Sequence, residues 1–75
     1  MKEVRQISMD EADRLGYVHH GHVYVGNTEG HTGAFVHVRM LMDANIDAVV
    51  VELRISKEWG GLLIGYAIGT RGQKE

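Results

Sequence analysis

The run from Ala34 to Asn45, AFVHVRMLMDAN, decides the fold of this chain because it satisfies two periodicities at once. As a strand, Ala34, Val36, Val38, Met40 and Met42 alternate against Phe35, His37, Arg39 and Leu41. As a helix, Phe35, Val38, Leu41 and Met42 make one apolar stripe, with Thr32 available as N-cap and Asn45 as the residue past the C-terminus. The exit favours the helix. In LMDANIDAVVV, Asn45 tolerates a left-handed turn and leads directly into a strand of another character.

That strand, AVVVELRIS, is the clearest in the chain, with Val49, Val51, Leu53 and Ile55 on one face and Val50, Glu52, Arg54 and Ser56 on the other. KEWGG reads as a hairpin turn and LLIGYAIGTR as the return strand. Gly65, Ala67 and Gly69 form a thin strip along the latter that another group can approach closely. Upstream of the deciding run, SMDEADRLG carries a short helix over Met9 to Leu15. Ser8 and Glu11 fit a capping box, acids fill the first turns, and Gly16 suits a left-handed stop. YVHHGHVYV is β-rich, with His20, His22 and Tyr24 on one face and His19, Val23 and Val25 on the other; GNTEGHTG reads as a glycine-rich loop.

The expected architecture is α+β: a short N-terminal helix, then β-α-β-β, giving a three-stranded mixed sheet with one helix layer. If the deciding run is a strand, the alternative is an N-terminal helix followed by four antiparallel strands. A helical crossover makes the first two strands parallel. One helix layer leaves Val50, the glycine strip and the histidine strand on a partly uncovered face, so a homo-oligomer is expected.

At 75 residues the chain is one domain, near the size at which a core only just offsets chain entropy. It has no cysteine, which excludes disulfides and thiolate zinc sites and leaves packing, self-association or a metal held by histidine and carboxylate. The formal charge of −2 and the lack of a basic cluster argue against nucleic acid. Neither a signal peptide nor an apolar run long enough to span a membrane is visible, so a soluble, cytoplasmic protein is expected.

The segment MLMDANIDAVVVELRISKEWGGLLIGYAIGTRG resembles the small βαββ domains of the YbjQ-like heavy-metal-binding group. There a helix ends at a turn before a GADAVV-type strand, and a GTA-type strand closes the chain. NIDAVVV and AIGTRG stand in those places, Thr70-Arg71 replacing the small pair, and LGYVHHGHV would be the first strand. The resemblance implies a ring-like oligomeric module and transfers no ligand residue.

Three candidate sites follow from the residues themselves. His20 and His22 lie two apart on a strand and can reach one ion, with His31 and Glu29 in the following loop, His37 on the next element, or a symmetry mate to complete it. Paired imidazoles suit zinc, nickel or copper. Clustered histidines also permit a pH-sensitive interface, and an ordinary polar strand face accounts for them as well. Gly26, Asn27, Thr28, Gly30 and Thr32 belong to a strand–loop–helix junction that can cradle a phosphate, although neither the Walker A nor the G-x-G-x-x-G spacing is present and Glu29 opposes an anion. Trp59 at the hairpin tip is a candidate contact anchor. No nucleophile elbow is visible. A histidine–carboxylate pair such as His31 and Glu29 is available, as in most chains, but a three-stranded domain of this size has little room for a pocket, so an enzyme is not expected. The leading expectation is a small, non-enzymatic, self-associating module that binds a ligand or partner at subunit interfaces. The alternatives are a compact interaction or inhibitor protein using Trp59 and a sheet edge, and a binder of phosphate-bearing small molecules.

Overall fold

The computed structural model describes residues 3–55 and 61–72, with the backbone alone at His20 and Gly21. The chain is α+β. Its described elements are β1 (Gln6–Ser8), α1 (Met9–Leu15), β2 (Val18–Val25), α2 (Thr28–Asp43), β3 (Asp47–Arg54) and β4 (Leu63–Arg71). The strands form one open sheet in the order β1-β3-β4-β2. β1 runs parallel to β3, while β4 is antiparallel to both β3 and β2. β2 and β3 therefore point the same way, as a helical crossover requires, but β4 is inserted between them.

Both helices end by the same local device. The Ser8 hydroxyl accepts from the Glu11 amide at 3.2 Å, and α1 closes where Gly16 adopts φ 85°. There the Gly16 and Tyr17 amides turn back to the carbonyls of Asp13 and Ala12. At the far end of α2, Asn45 takes φ 67°, and the amides of Asn45 and Ile46 bond the carbonyls of Met42 and Leu41. These are the paired closures expected when the residue past a helix is left-handed.

The deciding run is helical, but the helix is longer than the sequence suggests. It begins at Thr28, and its N-cap is Asn27, whose side chain accepts from the Gly30 amide at 2.7 Å; Thr32 lies inside it and caps nothing. GNTEGHTG is therefore not a loop. Gly30 and Gly33 serve close packing instead. A Cβ on Gly30 would stand 1.7 Å from the Val25 carbonyl oxygen, and one on Gly33 would stand 2.9 Å from Tyr24 Cε1.

Two cores sit on opposite faces of the sheet. α2 buries Ala34 and Val38 against Ala48, Val50, Tyr66 and Ile68. The other face carries Ile7, Ala12, Tyr17, Val49, Val51 and Ala67. Val50 therefore belongs under α2 and not with the glycine strip. The sheet has four described strands where three are expected, because three-residue β1 contributes a single buried side chain, Ile7, between exposed Gln6 and Ser8. Alternation over three residues carries no readable period. In place of one helix layer there are two, α1 lying over β1 and β3 on the second face. The core of that face extends to Ala67 of β4, whereas Val23 and Val25 of β2, on the same face, stay exposed.

Candidate functional site

Among the described residues β2 is an end strand, hydrogen-bonded to β4 alone. Its eight residues, VHHGHVYV, include no Lys, Arg, Asp or Glu. Register with β4 breaks between His19 and Val23, where β2 takes more residues than the strand opposite, and resumes as Val23, Tyr24 and Val25 face Ala67, Tyr66 and Gly65. Antiparallel partners share a face, so Val23 and Val25 lie on the side that α1 leaves open. They are 55% and 67% exposed. Val18, opposite Thr70 and hence on the α2 side, is 64% exposed. Ile55, Leu62 and Ile64 are exposed as well, the last beside Gly26 through the bond from the Gly26 amide to the Ile64 carbonyl.

On the α2 side of the same edge, His22, Tyr24 and His37 form a ring cluster. The His22 ring centre is 4.5 Å from that of Tyr24 and 5.9 Å from that of His37. The Tyr24 hydroxyl lies 3.0 Å from His37 Nδ1. Gly33 allows this: without a Cβ, that turn of α2 lets the Tyr24 ring lie against the helix. Gly33, His37 and Met40 recur at helical spacing and mark the flank of α2 nearest β2; Met40 is 65% exposed.

The sequence-predicted ligands do not gather. His22 joins His37, whereas His31 sits elsewhere, its Nε2 2.9 Å from Gln6 Oε1 and its ring against Phe35 and Tyr66. His31 and His37 are six residues apart along α2, or about 9 Å. The His20 side chain lies outside the described residues. Among the described residues no three His, Asp or Glu side chains converge on one point. His37 is the partner the sequence underrates. Its signal is the Gly30–Gly33–His37 spacing, readable once Asn27 is taken as the cap.

The proposed phosphate cradle takes another form. Gly26, Asn27, Thr28, Gly30 and Thr32 span a strand end and the first turns of α2. The Gly30 amide is taken by Asn27, and Glu29 already supplies a carboxylate to the first turn. Trp59 lies outside the described residues.

A polar cluster at the opposite end of the sheet is fully engaged. Tyr17, 4% exposed, accepts from Arg5 Nη2 at 2.6 Å and donates to Asp47 Oδ1 at 3.0 Å. Arg71 Nε donates to the other Asp47 oxygen at 2.8 Å, and its guanidinium lies 4.5 Å over the Tyr17 ring. Burial, reinforced by the bond to Asp47, pushes the Tyr17 hydroxyl above the usual phenol range. For Asp47, burial raises the pKa, but the bonds from Arg71 and Tyr17 outweigh it and hold the carboxyl below the usual range. Glu52 is also held low, first by the bond from Gln6 and then, against burial, by Arg54. Among the described residues that line the pocket of Met42, Asn45, Ile46 and Asp47, the ionised group is this committed carboxylate. No helix among the described residues is long and apolar enough to cross a membrane. No known family, curated protein or solved structure matches the chain.

Proposed function

We propose that the chain is a self-associating module whose β2 edge pairs with β2 of a second copy. The observation that carries this reading is an uncharged end strand with exposed valines on both of its faces, Val18 on one and Val23 and Val25 on the other. Soluble proteins guard such edges with lysine, proline, a short strand or a bulge. β2 has eight residues with no lysine or proline; the one guard it carries, a bulge-like break, is confined to the stretch between His19 and Val23 and leaves Val23 to Val25 as regular strand.

An antiparallel pairing of identical strands is two-fold symmetric and satisfies both edges at once. With the axis perpendicular to the sheet, α2 of each copy stays on the same side. The flank carrying Met40 then faces its counterpart, while the valines of the open side meet across the edge. The resemblance to YbjQ-like domains also implies self-association, but in rings, whose head-to-tail contacts differ from a two-fold β2 pairing. The reading is that of a binding or assembly module, with any ligand held where copies meet.

Mass measured by light scattering after size exclusion tests this. A discrete oligomer is expected for the intact chain, and for Val23→Lys/Val25→Lys a monomer that still folds by circular dichroism, with a melting temperature lowered by the association it has lost. A monomeric intact chain at high micromolar concentration contradicts the reading.

A further inference from the structure

We propose that His22 and His37 are half of a transition-metal site, completed by the same two residues of a second copy. This rests on the edge pairing proposed above. Two imidazoles that share a tetrahedral zinc at about 2.0–2.1 Å hold their ring centres roughly 5 Å apart. The observed 5.9 Å is within a small side-chain rotation of that spacing.

The second argument is the hold on His37. Metal-bound histidines use their other ring nitrogen to bond a neighbour, which fixes the tautomer and the direction of the lone pair. Tyr24 stands in that place, its hydroxyl 3.0 Å from Nδ1. When the phenol oxygen accepts the Nδ1 proton, Nε2 keeps its lone pair for a metal; when the hydroxyl donates to Nδ1, Nε2 carries the proton, so metal binding selects the first arrangement. Tyr24 itself is seated by Gly33 and flanked by the His22 ring, so one residue organises both histidines.

Third, among the described residues one chain brings two donors together and no more. No third His, Asp or Glu joins the pair among the described residues, whereas zinc sites close at four ligands or keep one position open beside three. His22 lies on the end strand and His37 on the helix flank above it. Edge pairing about an axis perpendicular to the sheet brings two such pairs onto the same side. Four neutral imidazoles select zinc, nickel or copper over magnesium or calcium, which prefer oxygen.

The test uses the full chain stripped with chelator and titrated with zinc chloride alone, following bound metal by calorimetry and mass by light scattering. One zinc per two chains is expected. Binding should weaken at least tenfold in His22→Ala and His37→Ala, and roughly tenfold in Tyr24→Phe. The melting temperature of each variant in chelator reports whether it still folds, and His22→Ala, at an exposed side chain, keeps the test decisive should His37→Ala unfold. One zinc per chain, or binding indifferent to these substitutions, overturns the site. A dimer that persists in chelator but ignores zinc overturns the metal alone. A chain that stays monomeric with and without zinc overturns the pairing and, with it, the shared site.

Discussion

The two ends of the sheet are finished in opposite ways. At the start of β3, every strong polar group finds a partner within the chain: Tyr17 bridges Arg5 and Asp47, and Arg71 covers the tyrosine ring while holding the same carboxylate. Along β2, backbone groups face outward, valines are exposed on both faces, and the histidine cluster holds only rings and a phenol. The first end is closed by its own side chains. The second is shaped but open, and a chain this small gains most by covering such a surface with a copy of itself.

The largest effect expected from a single change lies where α2 meets β2. Gly30→Ala places a methyl 1.7 Å from a backbone oxygen that cannot swing aside, so the helix must lift from the strand. Several kcal/mol of stability should be lost, enough to unfold a domain of this size. Gly16→Ala has open space around it and suffers only from φ 85°, so about 1 kcal/mol is expected. Thermal melts of the two variants compare a packing glycine with a turn glycine; equal losses would contradict the assignment.

Tyr17→Phe comes next. It removes the hydroxyl that links Arg5 to Asp47 and leaves part of a charged pair without its neighbour, at a cost of about 1–3 kcal/mol by denaturant unfolding. Oligomer mass should not change, because the Tyr17 side chain is buried within its own chain and does not reach the edge. The same residue sets an alkaline limit. A phenol pKa raised by folding contributes stability below the unfolded value near 10 and loses it as pH rises through the folded value. Tyr17→Phe should flatten that decline.

The acid limb has the reverse sign and a smaller size. Asp47 and Glu52 are held below the usual carboxylate range, so their contribution is present above about pH 4 and disappears as pH falls through their lower folded values. Both pairs are partly exposed, with the Asp47 side chain 44% and the Arg54 side chain 42% accessible, so solvent screening keeps each below roughly 1 kcal/mol. Asp47→Asn should reduce the slope of stability between pH 4 and pH 2; an unchanged slope would remove Asp47 from the account.

Much of the fold is legible because its signals are local. Ser8, Glu11 and Gly16 bracket α1, and Asn45 marks the end of α2 through its own backbone preference. The start of α2 is not legible in the same way. Gly30 and Gly33 look like loop residues, yet what requires them is Val25 and Tyr24 pressing from another element, a condition that appears only on folding. β1 is hidden because its pairing with β3 depends on contacts more than forty positions away along the chain, such as Gln6 with Val50. For the candidate site, strand alternation correctly puts His22 on one face, but its partner depends on which flank of α2 lies above β2. That flank is fixed by the two glycines, so misreading them as a loop also displaces His37 from the site in favour of His31.

The most direct test of the central claim is amide hydrogen exchange along β2, measured by mass spectrometry at low and high protein concentration. Edge pairing predicts that peptides covering Val18 to Val25 become more protected as concentration rises, while those covering β3 from Asp47 to Arg54 do not change. Protection in β2 that is independent of concentration, in a chain whose mass remains that of one copy, would contradict the account.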